Sequence, residues 1–181
     1  GVTTGISASR FDPNGICTRA QAVTFLWRAA SSPEPETRTM PFTDVPVGSY
    51  YYNAVLWAVE NGITKGTSDT TFSPNAVCTR AQTVTFLWRA AGSPMPRYRT
   101  CAFTDVDSRD YYYNAVLWAV EQGITTGLTA TTFGPDVTVS RGQVATFLYR
   151  AASASKPNTF NPFTDVKTTA YNYDAIPVSY T

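Results

Sequence analysis

In the stretch "YYNAVLWAVENG" (51–62), Ala54, Val55, Ala58 and Val59 recur at helical spacing before Gly62 ends the run. That periodicity predicts an amphipathic helix with a glycine stop. A polar stretch follows, "ITKGTSDTTFSPNAV", whose Gly, Ser, Thr and Pro content predicts a loop with Phe72 as an apolar anchor. A second helix is expected to open at Thr79 and run through "RAQTVTFLWRAA", with Val84, Leu87, Trp88 and Ala91 as its apolar stripe. Proline-bearing polar stretches, "GSPMPRYRT" (92–100) and "SASKPNT" (153–159), read as spacers. A helix–loop–helix unit of this size cannot bury its apolar face alone, so several are expected to pack together.

The unit recurs. "FTDV" begins at Phe42, Phe103 and Phe163, in steps of 61 and 60 residues, and "YYYNAVLWAVENGITKG" (50–66) returns nearly unchanged as "YYYNAVLWAVEQGITTG" (111–127). "CTRAQAVTFLWRAA" (17–30) returns at 78–91 and, more loosely, as "VSRGQVATFLYRAA" at 139–152. "GVTTG" at the start of the chain aligns with "GITKG", within a repeat. The expected division is a back half at 1–30, full repeats at 42–91 and 103–152, and a front half at 163–181 that completes 1–30. The fold class this implies is mainly α, with three helix–loop–helix units. The last front half departs from the others, with "AIPVSYT" in place of "AVLWAVE". Pro177 lacks an amide donor and clashes with the preceding turn, so that helix is expected to be short or bent.

Composition alters this picture mainly by exclusion. A hydrophobic fraction of 43% supports a real core. A formal charge of +1 without like-charge runs argues against a basic nucleic-acid surface. Histidine is absent, which removes Ser-His-Asp triads, Cys-His dyads and His-ligated metals. Cys17, Cys78 and Cys101 lack metal-ligand spacing, and Val139 takes the place of Cys17 and Cys78 in the third copy. That position therefore reads as a small apolar core site rather than half of a disulfide. No run of about eighteen apolar residues predicts a membrane helix, and no signal peptide is legible. Eleven of the fourteen cations are arginines, whose planar fork suits carboxylates and phosphates as well as structural ion pairs.

Those arginines focus the candidate chemistry. Thr18 with Gln21, Thr79 with Gln82, and Ser140 with Gln143 each fit a capping box at the start of the second helix. The arginine between them, Arg19, Arg80 or Arg141, stands at the positive end of a helix dipole and asks for an anionic partner. Two partners compete: the aspartates of "FTDV" (Asp44, Asp105, Asp165), or a ligand carboxylate helped by free amides at the helix start. Tyr50 and Tyr111, with their neighbours, could stack on sugar faces or pack internally. Recurrence of acidic residues between copies, threefold for the aspartates of "FTDV", fits structure better than one asymmetric glycosidase site, so no catalysis, cofactor or metal is expected.

The "FTDV" opening, the helix ending "WAVENGI", the "G…TFSP" loop and the "TRAQ" helix start resemble S-layer homology repeats. The resemblance implies three repeats in a pseudo-threefold prism around a central helical bundle. It further implies non-covalent attachment to secondary cell-wall polysaccharide, often pyruvylated, on the bacterial surface. By that resemblance Arg19, Arg80 and Arg141, Tyr50 and Tyr111, Gly5, Gly66 and Gly127, and Asp44 and Asp105 would line glycan grooves. The family's usual Glu is Gln here, at Gln21, Gln82 and Gln143, and the third copy carries Gly142 within "SRGQ". An alternative is a structural subunit that polymerises head to tail when 163–181 of one copy completes 1–30 of the next.

Overall fold

A computed structural model describes residues 2–3, 5–152 and 161–178. It holds six helices: α1 (Arg19–Ala29), α2 (Tyr52–Glu60), α3 (Arg80–Ala90), α4 (Tyr113–Glu121), α5 (Arg141–Ala151) and α6 (Ala175–Val178). Among the described residues, extended backbone pairs only as isolated bridges. The fold is mainly α, as the periodicity and the repeats predict.

Local chemistry sets the helix ends. At α1, α3 and α5 the hydroxyl of Thr18, Thr79 or Ser140 accepts from the amide of Gln21, Gln82 or Gln143, whose side-chain oxygen accepts from the cap amide in return. At α2 the chain leaves through Gly62 (φ +66°), where the Ile63 amide donates to Ala58 O at 2.7 Å and the Gly62 amide to Val59 O at 3.0 Å. This is a Schellman closure, with buried Ile63 as its apolar contact. Gly123 (φ +67°) ends α4 in the same way. The helix containing Pro177 spans four residues against nine in α2 and α4.

Helices α1, α3 and α5 pack on one another as the inner bundle. The outer helices are shared between repeats: α2 packs on α1, α4 on α3 and α6 on α5. The two helices of one sequence repeat, α2 and α3 or α4 and α5, are therefore not a packed hairpin. Each repeat leans its first helix on the second helix of the repeat before it, so no unit has a core of its own.

At the N-terminal end of the bundle three segments meet in a closed hydrogen-bond ring. The Cys17 amide donates to Val139 O (2.9 Å), Cys78 to Cys17 O (2.9 Å) and Val139 to Cys78 O (3.0 Å). All three side chains are fully buried and the cysteines are free. Burial pushes the Cys17 thiol up to about 12 and raises that of Cys78, so neither supplies a thiolate.

Three aromatic pairs join each "FTDV" to a loop: Phe42 with Phe72 (5.9 Å), Phe103 with Phe133 (5.7 Å) and Phe163 with Phe11 (5.6 Å). The last pair links the two ends of the chain. Phe11, Ala145, Phe163, Val166, Ala175 and Ile176 form a small cluster beside the main core.

The Gly142 departure has a steric cause. A Cβ there would lie 2.1 Å from Nδ2 of Asn172, a buried residue that stands where the other copies have Tyr51 and Tyr112. The corresponding Ala20 and Ala81 occur where the matching positions hold Tyr51 and Tyr112, so the glycine accompanies the exchange to asparagine. Gly142→Ala is expected to destabilise the chain by about 1–3 kcal/mol through overpacking. Adding Asn172→Ala should recover part of that loss in a denaturant double-mutant cycle; strictly additive effects would refute the contact.

Candidate functional site

Each recurring arginine is almost wholly buried: Arg19 is 3% exposed, Arg80 4% and Arg141 5%. The guanidinium of Arg19 lies between two rings, with Cζ 4.8 Å from the Phe72 centroid and 5.5 Å from that of Phe86. Arg80 sits between Phe133 and Phe147, and Arg141 between Phe11 and Phe25. These contacts offset part of the cost of desolvating the cation. Burial lowers the pKa of all three arginines from their ordinary value, but guanidinium stays charged in proteins.

Of the two candidate partners, the aspartates form no ion pair with these arginines. Arg19 Nε instead donates to Phe72 O, Arg80 Nε to Phe133 O and Arg141 Nε to Phe11 O, each at 2.9 Å. Both carboxylate oxygens of Asp44 accept from the amides of Phe72 and Ser73 (2.8 and 2.7 Å). Asp105 does the same for Phe133 and Gly134, and Asp165 for Phe11 and Asp12. Aspartate and arginine thus act on one peptide from opposite sides: the carboxylate fixes the loop whose carbonyl orients the guanidinium. Desolvation works to raise the Asp105 and Asp165 carboxyls, but the loop amides outweigh it and hold both below the usual carboxylate value.

The helix-start amides are not free either. Those of Arg19 and Ala20 donate to Ala76 O and Pro74 O, those of Arg80 and Ala81 to Val137 O and Pro135 O, and those of Arg141 and Gly142 to Gly15 O and Pro13 O. Carbonyls of the neighbouring repeat consume the donors that would have met a ligand, and in doing so stitch the repeats together.

Two of the three arginines also line grooves. Arg19 lines a groove of about 320 Å³ with Thr64, Gly66, Gln82, Arg89 and Tyr111, while Lys65 adds a further cation. Arg141 lines one of about 410 Å³ with Thr3, Gly5, Gln21, Arg28 and Tyr50. Each groove draws on three stretches of chain: an arginine, a glycine loop with its following helix, and a tyrosine. Among the described residues, no carboxylate lines either groove. Nη2 of both Arg19 and Arg141 is buried with no hydrogen-bond partner, which is rare for a charged donor and marks a position short of an acceptor.

Tyr50 and Tyr111, both 59% exposed, are held edge-on by Tyr51 and Tyr112 at 5.0 and 4.9 Å. Both tyrosines line the grooves. Gly5 (φ +73°) and Gly66 (φ +81°) line the same two grooves. A Cβ on Gly66 would lie 2.4 Å from Thr71 O and 2.5 Å from the Phe42 ring. Gly127 is equally constrained, 2.4 Å from Thr129 O and 2.5 Å from the Phe103 ring. Around Arg80 the arrangement differs, because its Nη2 already donates to Thr126 O (2.8 Å) and Thr125 Oγ1 (3.3 Å).

Sequence reasoning missed the phenylalanine pairs that hold the cations and the buried threonines Thr3, Thr64 and Thr125. It also missed Arg28 and Arg89 as groove residues. The signal was present in the register, since Phe11, Phe72 and Phe133 recur in step, as do Phe25, Phe86 and Phe147.

The fold and the grooves define a class: a helical repeat module whose inter-repeat clefts are lined by cations and aromatic rings. A profile of the S-layer homology domain matches residues 41–84 and 102–145, and these two segments belong to the S-layer homology family. It is 32% identical over 68% of its length to an endoglucanase of a Bacillus species, covering 13% of that protein. It is 28% identical over 67% of its length to a surface-layer 125 kDa protein of Lysinibacillus sphaericus, covering 10% of it. An S-layer protein of Bacillus thuringiensis subsp. finitimus is 27% identical over 82% of the chain, which covers 18% of that protein. The chain thus spans less than a fifth of the length of each of these relatives.

Proposed function

We propose that this chain is a cell-wall-anchoring module that holds an acidic, pyruvate-bearing wall polysaccharide in the grooves of Arg19 and Arg141. Family membership and S-layer relatives make it a wall-anchoring module at the bacterial cell surface. The enzyme names among its relatives belong to far longer proteins, so they carry no argument for catalysis by this segment. One observation carries the choice of ligand: a buried guanidinium with an unpartnered Nη2, in a groove free of carboxylates. A ketal-linked carboxylate supplies the missing acceptor and the countercharge together. Tyr50 or Tyr111 offers a ring to the sugar face, and Gly5 or Gly66 allows the chain to pass close to it.

We read residues 163–178 as the front half of the repeat whose back half lies in 2–30, closing the module within one chain. The support is the pair of amide bonds to Asp165, the Phe11–Phe163 contact and the packing of α6 on α5. These contacts use the surfaces through which a head-to-tail polymer would otherwise grow. Wall fragments stripped of pyruvate by mild acid should retain the chain at least about tenfold less than untreated fragments, a loss of about 1.4 kcal/mol. Equal retention by both would rule out the carboxylate as the recognised group.

A further inference from the structure

We propose that the module takes two glycan segments rather than three, because the groove at Arg80 is occupied by its own backbone; this rests on the reading of the grooves as anion-holding sites. Sequence register makes the three arginines equivalent, yet their free edges are not. Arg80 Nη2 donates to Thr126 O at 2.8 Å and to Thr125 Oγ1 at 3.3 Å, whereas Nη2 of Arg19 and of Arg141 has no partner. The Thr126 carbonyl stands where a ligand carboxylate oxygen is wanted.

The glycine loop explains the difference. In the Arg19 groove the Gly66 amide donates to Thr64 Oγ1 (3.1 Å) and Gly66 has φ +81°. In the Arg141 groove the Gly5 amide donates to Thr3 Oγ1 (3.3 Å) and Gly5 has φ +73°. In the third loop Thr125 Oγ1 donates instead to Thr126 O (3.0 Å), and Gly127 lies outside the left-handed region. The Thr126–Gly127 peptide is turned over relative to its counterparts, presenting a carbonyl to the arginine.

Neighbouring substitutions accompany this turn. Thr67, which hydrogen-bonds to Thr71 and Ser73, becomes Leu128, whose side chain lies over Gly134. The tyrosine that register assigns to this groove is Tyr171, and Asn172 follows it in place of a second tyrosine. Asn172 is buried against Gly142, so the edge-on support given to Tyr50 and Tyr111 has no equivalent here. An incoming carboxylate would have to displace a formed hydrogen bond and reverse a peptide at Arg80. At Arg19 and Arg141 it meets a donor that is already desolvated and unpaired.

Proton–nitrogen NMR of the intact, 15N-labelled chain tests this groove by groove. The Nε–H groups of Arg19, Arg80 and Arg141 all donate to carbonyls, so each serves as a local probe. On titration with a monosaccharide carrying a pyruvate ketal, the Arg19 and Arg141 resonances should shift and saturate. The Arg80 resonance should stay in place, or respond at concentrations at least about tenfold higher. Saturation of all three over one concentration range overturns the two-site assignment while leaving the anion reading intact. A response from Arg19 or Arg141 alone also overturns it. Silence from all three removes the anion reading and this assignment together.

Discussion

Replacing both Arg19 and Arg141 by lysine is expected to abolish measurable retention on wall polysaccharide while leaving the helical content unchanged. Lysine keeps a positive charge but lacks the fork that binds two acceptors in fixed directions. In each groove Nε is tied to the carbonyl of Phe72 or Phe11 and Nη2 has no partner, the donor assigned to the ligand in the proposed function. A lysine ammonium could satisfy one of these needs at a time. Truncating one member of a desolvated, charge-assisted pair costs about 2–5 kcal/mol, so about 30-fold or more is expected per groove. A polysaccharide engaging two grooves of one module binds with avidity, and loss at both removes that gain as well. Each single variant should keep weak, single-groove retention. Undiminished retention by the double variant, with circular dichroism unchanged, would refute the arginines as the anchoring groups.

What the sequence reveals and what it hides divide along range. The helix at 51–62 is legible because Ala54, Val55, Ala58 and Val59 carry its period and Gly62 its stop. The Thr-Arg-Ala-Gln start is equally legible, since a capping box spans only four residues. Neither signal says which helix meets which. That α2 packs on α1 rather than on α3 depends on contacts far apart in the chain. The arginine shows the same limit. Its location at a helix start implies an acceptor, and by charge aspartate and a ligand carboxylate compete for it. The structure interposes a peptide: Asp44 holds the amides at Phe72 and Ser73, and the Phe72 carbonyl holds Arg19. The helix-start amides, counted as open to a ligand, are used by Ala76 and Pro74 of the next loop. Composition and spacing cannot show either exchange, because backbone acceptors leave no trace in residue type.

That interposed peptide makes the loop phenylalanine a stability determinant, most of all at Phe11. Its ring is fully buried, packs on Phe163 at 5.6 Å and lies 4.8 Å from the Arg141 guanidinium. Its amide donates to Asp165 and its carbonyl accepts from Arg141. Phe11→Ala keeps those backbone groups but opens a cavity and strips one face from a buried cation. The expected loss is about 3–5 kcal/mol, a large share of the 5–15 kcal/mol typical of a domain. For a chain of this size that corresponds to a fall in Tm of about 6–20 °C. Phe72→Ala and Phe133→Ala remove equivalent rings, but each lies inside a continuous stretch of chain. Phe11 and Phe163 instead join the two ends, where 161–178 is secured by the four-residue α6 rather than by a nine-residue helix. Phe11→Ala should therefore also release the 161–178 segment below global unfolding, exposing it to limited proteolysis before the core of α1, α3 and α5. Mass analysis of the first proteolytic products distinguishes this order. Simultaneous cleavage throughout the chain would show that the two ends are no weaker a joint than the rest.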